Sequence, residues 1–312
     1  MAIVGNQWKT DNYKFVKKTF EYEYKTRINK LLPILGEVET NSIDYAIEGA
    51  GGYGEMEHYD GTNLNKGEMK RGFSTIVVPE EYSKTATIRF KQAKVDKSGE
   101  CRKTGTRLAN AALATVFVHA LRLLGGAFDS THVGGDGKPW AATDHPVASK
   151  GSEGRKFIVD PDSGTFSNLI NQTLSVSGIS AAQELASRYI CPDGLPFLCD
   201  MDTLLVSPEL EPVAKKICGE NSRLYPGQVN DVNPYTGLKY IVIGGGRDGF
   251  SEKQWALCDK RIMKEVFNIV YITRPRVLNS QLDNPLIDEY TGYADFGLGW
   301  GDARQIVFSN PN

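Results

Sequence analysis

The longest regular pattern in the chain lies between Arg102 and Leu124. There Leu108, Ala111, Ala112, Thr115, Val116, His119 and Leu123 share one side of a 3.6-residue period, and Gly125-Gly126 follows as a stop. The spacing predicts one helix of about six turns, with His119 on its apolar face as a core or interface residue. Upstream, Tyr13 to Ile28 is a charged amphipathic stretch that ends near Leu32-Pro33. Its aromatic residues Phe15, Phe20, Tyr22 and Tyr24 recur without a clean helical period, so this helix is expected to pack on something other than its own core, as an arm on a neighbour would. Residues 46–79 place Gly49, Gly51, Gly52, Gly54, Gly61, Gly67 and Gly72 among polar residues ahead of the β-rich run Phe73 to Val78. That composition predicts an extended hairpin with little core of its own, marginal without a partner surface. Pro79-Glu80-Glu81 reads as a helix start. Tyr82 to Ala93 fits both a strand alternation and a helical face, and helix is the expectation.

After a loop-like stretch from 127 to 166, an α/β pattern resumes. Ser180-Ala181-Ala182-Gln183 has the form of a capping box opening a helix to Ile190, which Cys191-Pro192-Asp193-Gly194 stops. Thr203 to Val206 reads as a buried strand, and Ser207-Pro208-Glu209 opens a helix to about Cys218. Leu238 to Ile243, Trp255 to Leu257 and Val266 to Ile272 are expected to be further strands of one small sheet. The segment 270–308 holds strand patches without helices and must pack on an earlier element, with the long helix as the expected partner.

Composition narrows the function classes. The 312 residues, 40% of them hydrophobic, suffice for two folding units. Thirty-six basic against thirty-eight acidic residues leave a net charge of -2, which disfavours a dedicated nucleic-acid or anionic-membrane binder. No apolar run is read as reaching the ~20 residues of a membrane span, and MAIVGNQWKT lacks the pattern of a secretory signal, so a cytosolic site of synthesis is expected. Cys101, Cys191, Cys199, Cys218 and Cys258 are odd in number and never spaced C-x-x-C, so they read as buried or incidental thiols.

Candidate chemistry is sparse. Gly49-Ala50-Gly51-Gly52-Tyr53-Gly54 matches a dinucleotide fingerprint in form, but the acidic Glu55 and Glu57 follow where a phosphate would sit. Gly244 to Gly249, with Arg247, follows a strand yet lacks the Gly-Lys-Ser/Thr of a phosphate loop. His132, Asp136, Asp144 and His145 are ligand-type side chains at no metal-binding spacing, and they read as a structured loop. Serine, zinc and cysteine catalytic signatures are absent, so no enzyme, cofactor or metal is expected.

Between 127 and 218 the order and spacing of several short motifs carry a resemblance. They are Ala127-Phe128-Asp129, Gly134-Gly135-Asp136-Gly137-Lys138-Pro139, Asp144-His145-Pro146, Ser167-Asn168-Leu169, Leu174-Ser175, Ala181-Ala182, Gly194-Leu195-Pro196 and Leu204 to Glu211. The stretch resembles major capsid proteins of tailed bacteriophages of the Hong Kong 97 type. The resemblance implies an α+β capsid fold. Its parts would be an N-terminal arm (1–45), an E-loop hairpin (46–79), a P-domain built on a spine helix (80–145 with 270–312) and an α/β A-domain (146–269).

The function implied is a structural protein that self-assembles through homo-hexamers and pentamers into an icosahedral head around double-stranded DNA, without sequence-specific contact. The implied location is the virion, with assembly in the host bacterial cytoplasm. A scaffolding protein, a portal and a decoration protein are the implied partners, and no membrane is. The short stretch before the hairpin favours a separate scaffolding protein. Assembly contacts are expected at Gly51, Gly52, Lys66, Lys70, Gly135, Asp136, Asp144, His145 and Arg247. Lys66 and Lys70 sit where some relatives cross-link, but no partner asparagine or acid is nominated. An encapsulin-like nanocompartment shell and a soluble α/β enzyme stand as alternatives.

Overall fold

The computed structural model describes residues 4–31, 33–49, 51, 53, 55–56, 58–59, 61–62, 72–95, 99, 103–147, 164–219, 233–245, 248–280 and 286–311. In chain order the first elements are α1 (Val4–Leu31), β1 (Gly36–Glu39), β2 (Tyr45–Glu48), β3 (Ser74–Val77), β4 (Glu80–Arg89), α2 (Phe90–Lys94) and α3 (Thr104–Gly125). There follow β5 (His145–Pro146), β6 (Thr165–Phe166), β7 (Leu169–Ile170), α4 (Val176–Ala186), β8 (Thr203–Val206) and α5 (Glu211–Cys218). The last are β9 (Lys239–Val242), β10 (Gly244–Gly245), β11 (Asp248–Gly249), β12 (Trp255–Cys258), α6 (Lys260–Val266), β13 (Phe267–Ser280), β14 (Ile287–Trp300) and β15 (Ile306–Ser309). The chain forms two compact units, one of residues 1–45, 77–120 and 269–298, the other of 46–76, 121–268 and 299–312.

In the first unit a four-stranded sheet runs β1-β13-β14-β4. One face carries Ile88, Val277 and Tyr290 against Val16, Phe20 and Tyr24 of α1 and Leu108, Ala109 and Leu113 of α3. Val116 continues the α3 contact onto Ile269, Tyr271, Ala294 and Phe296. Gly105 permits the close approach of the two helices, since a Cβ there would lie 2.5 Å from the Val16 carbonyl oxygen. His119 meets the rings of Tyr82 and Phe296 edge-on, as expected of a histidine on the apolar face.

Three sequence expectations are corrected here. The α1 helix buries Val16, Phe20 and Tyr24 in its own unit, because these positions form an i, i+4, i+8 stripe that the exposed Phe15 and Tyr22 obscure. Residues 80–89 form a strand, with α2 confined to Phe90–Lys94. Ten cross-strand pairs with β14, from Arg89–Ile287 to Glu80–Phe296, outweigh the local helix-start signal at Pro79-Glu80-Glu81. Finally, Thr104–Phe128 is long and apolar enough to span a bilayer by length and composition. A helix that must pack on sheet and helix together reaches the same apolar content, so the test does not distinguish the two.

The second unit holds a five-stranded sheet in the order β7-β15-β12-β8-β9. Strands β8, β12 and β15 are buried at every residue, which requires cover on both faces. Leu204, Val206, Trp255, Leu257 and Val307 pack on Ile179 and Ala182 of α4 and on Ala214 and Ile217 of α5. On the other face Phe308 meets the rings of Phe128, Trp140 and Phe250.

Helix α4 begins earlier than the capping-box reading placed it, with Ser175 Oγ accepting from the Gly178 N–H at 3.1 Å, and it ends at Ala186. Of the run expected to be a strand from Val266 to Ile272, Val266 ends α6 and the rest begins β13 in the other sheet, while residues 306–309, grouped by sequence with 270–298, pair with β12 and β7.

Replacing Phe20 by Ala should destabilise the isolated chain by about 3 kcal/mol in denaturant unfolding, because it empties a core position of the first unit. An unchanged midpoint would mean that α1 does not pack on its own unit.

Candidate functional site at the root of the hairpin

Strands β2 and β3 pair as the two arms of the glycine-rich hairpin. Its root in the second unit is held by backbone contacts that only glycine allows. The Gly135 N–H donates to Thr75 Oγ1 at 2.9 Å, and a Cβ on Gly135 would lie 2.0 Å from the Ser74 carbonyl oxygen. A Cβ on Gly49 would lie 2.9 Å from the Gly301 carbonyl oxygen, and one on Gly301 would lie 2.8 Å from that of Glu48. The Gly49 N–H closes the hairpin onto the Phe73 carbonyl at 2.8 Å.

The turn that presents Gly135 is fixed by its own sequence. Gly137 has φ 75°, where a side chain would be strained. The Gly134 N–H donates to the Lys138 carbonyl at 2.8 Å, and Asp136 Oδ1 accepts from the Lys138 N–H at 3.0 Å. Asp136 Oδ2 is thereby turned toward His145 Nδ1 at 2.6 Å. His145 is 1% exposed on β5, where its cross-strand partner Phe166 stacks on the ring.

Behind His145 lies a buried polar network. Asn168 Oδ1 accepts from the Ala142 N–H at 2.9 Å and lies 3.1 Å from His145 Nε2, while Asn168 Nδ2 donates to the carbonyls of Trp140 at 2.7 Å and Ala303 at 3.1 Å. The Arg304 guanidinium sits over the Phe166 ring at 4.6 Å, donates to both Asp302 oxygens and satisfies the carbonyls of Ile190 and Val147. Each of these buried groups would cost on the order of 1–3 kcal/mol if left unpaired, so the network admits essentially one arrangement. Trp140 and Trp300 stack beside it, with centroids 5.0 Å apart. The cleft between the hairpin root, the turn and residues 300–304 measures about 20 Å³, room for about one water.

Of the sequence-nominated residues, Gly135, Asp136 and His145 converge here. Asp144 is exposed and pairs with Lys138, whose ammonium holds its carboxyl below the usual carboxylate range. His132 points elsewhere, to Asp129 at 3.4 Å, so the four ligand-type side chains of this loop form no common centre. Gly51 lies exposed. Gly52, Lys66, Lys70 and Arg247 lie outside the described residues, as does Cys101. At 1% exposure His145 presents almost no surface of its own, and its contact with the turn is through Asp136. Sequence reasoning missed Thr75, Asn168 and Arg304 as parts of one site. Their only signals were Asn168 within Ser167-Asn168-Leu169 and an Asp-x-Arg spacing after a glycine.

No protein-family model matches this sequence, and no curated protein matches it. Solved structures do. The capsid structure of cyanophage P-SCSP1u aligns with TM-score 0.52 and 9% identity over 89% of this chain and 86% of its own. The procapsid of bacteriophage JBD30 gives 0.51 and 11% over 95% and 74%, and a chain of Mycobacterium phage Patience gives 0.51 and 11% over 97% and 88%. The chain has a phage-capsid fold. At these identities the likeness is one of backbone path, so the capsid fold is carried here by a core and a hairpin root built from this chain's own residues.

Gly135→Ala should raise hydrogen exchange of residues 74–77 by at least about tenfold, because the added methyl cannot share space with the Ser74 carbonyl. Gly126→Ala should leave the same amides unchanged, since a Cβ there meets nothing within 4 Å.

Proposed function

We propose that this chain is the structural major capsid protein of a tailed phage, assembling through hexamers and pentamers into the icosahedral head that encloses double-stranded DNA. The reading is carried by the capsid fold matched over about nine-tenths of the chain. It is supported by a hairpin that exposes Tyr53, Met56 and Tyr59 at 67, 97 and 56%, apolar surface that a free monomer has no reason to present. In this reading residues 1–45 are the N-terminal arm, 46–79 the E-loop, 80–145 with 270–312 the P-domain with α3 as its spine helix, and 146–269 the A-domain. The α1 segment of the arm is docked on its own P-domain.

Gly51, Gly52, Lys66 and Lys70 on the hairpin, Asp144 and Lys138 on the turn, and Arg247 are the proposed contact positions, with Gly135, Asp136 and His145 setting the angle from which the hairpin leaves. In this reading the chain acts as a scaffold, and no catalytic, metal or cofactor role is proposed for it. Many modest contacts per subunit hold such a lattice through multivalency while misplaced subunits still dissociate. A net charge of -2 keeps the shell from adhering to the DNA it encloses. Scaffolding protein, portal and decoration protein are its proposed partners, the virion its place, and the host bacterial cytoplasm its site of assembly.

Negative-stain electron microscopy of the protein, expressed alone and together with its neighbouring genes, should show shells, tubes or capsomer rings in at least one preparation. A uniform monomer or dimer in both would refute the proposal. Closed particles holding a protein cargo in place of DNA would reassign it to an encapsulin-like nanocompartment.

A further inference from the structure

Both ring nitrogens of His145 face oxygen. Nδ1 lies 2.6 Å from Asp136 Oδ2, and Nε2 lies 3.1 Å from Asn168 Oδ1. The Asn168 amide cannot turn to offer a donor instead. Its Nδ2 serves the Trp140 and Ala303 carbonyls and its Oδ1 receives the Ala142 N–H, so a flip would exchange three hydrogen bonds for three contacts between like groups. Asp136 is held as firmly, because its other oxygen accepts from the Lys138 N–H. A neutral imidazole offers one donor and one acceptor. Whichever tautomer forms, it sets a nitrogen lone pair against a fixed oxygen, and only a pair that carries one more proton satisfies both contacts.

We propose that His145 and Asp136 form a proton-dependent latch on the hairpin root. With the extra proton present, the imidazole binds Asp136 and Asn168 together, and the turn from Gly134 to Lys138 keeps the Gly135 N–H on Thr75. When that proton leaves, one of the two contacts of the buried His145 ring becomes repulsive, and the turn lets go of β3.

The charges that face the pair are accounted for among the described residues. Asp144, next in sequence, is paired with Lys138, and Arg304, across the Phe166 ring on which His145 stacks, is paired with Asp302. Asp136 is therefore the carboxylate directly opposed to the imidazole. The closed latch binds one proton more than the open one, so by linkage it weakens as pH rises. The inference stands on the geometry of the second unit and does not need the capsid reading.

The test uses the full chain with two readouts. Nitrogen-15 spectra of the histidine rings at about pH 6 should show both His145 nitrogens bonded to hydrogen or sharing the Asp136 proton, and hydrogen exchange at residues 72–77 should accelerate about tenfold more between about pH 6 and pH 9 than the intrinsic rate does. His145→Gln and Asp136→Asn should each flatten that extra slope. A His145 ring with one bare nitrogen at about pH 6, or an extra slope that survives both substitutions, would overturn the proposal. The wild-type ring spectrum decides the question even if neither variant folds.

Discussion

A two-stranded ribbon has no interior, so whatever its distal part does depends on how its root is fastened. In this protein the fastening is made by main chain against main chain. Gly135 lies on Ser74, Gly301 on Glu48 and Gly49 on Gly301, each closer than a side chain would permit. Such contacts are stiff because no rotamer can yield. In the proposed shell, that stiffness would give every copy of the hairpin the same direction.

The glycines alone would give closeness without orientation. Orientation comes from the buried polar network behind them, where Asn168 and Arg304 each satisfy carbonyls from distant parts of the second unit. Replacing either by an apolar residue would leave several backbone oxygens without partners at once, which makes the arrangement cooperative and intolerant of half-formed versions. The Asp136–His145 contact joins this network to the turn that carries Gly135.

The two units solve their packing differently. The second unit sandwiches three fully buried strands between helices and aromatic rings, so its strands needed no amphipathic alternation and read as short apolar runs. The first unit covers one sheet face with α1 and α3 and places polar pairs on the other, with Thr85 bonded to Thr291 and Tyr293 to Glu81.

How much was legible follows from where the information resides. The α3 helix, the strands at 203–206, 239–242 and 255–258, the helix after Pro208 and the hairpin are local signals of period, cap and composition, and the sequence by itself determined them, together with a resemblance to phage capsid proteins. It also named Gly135, Asp136 and His145 among nine assembly candidates, in a loop whose Gly, Asp and Pro content read as generic. What it could not contain was pairing across distance. The strand 80–89 became a strand because β14, some two hundred residues later, offers ten partners. The α1 stripe found its core only once α3 and Tyr290 were placed beside it, and Asn168 met His145, Thr75 met Gly135 and Arg304 met Phe166 only through the closing of the second unit. Local propensity is a matter of a few tenths of a kcal/mol per residue, whereas a completed sheet edge or a satisfied buried charge is worth kilocalories, so tertiary structure decided every position where the two disagreed.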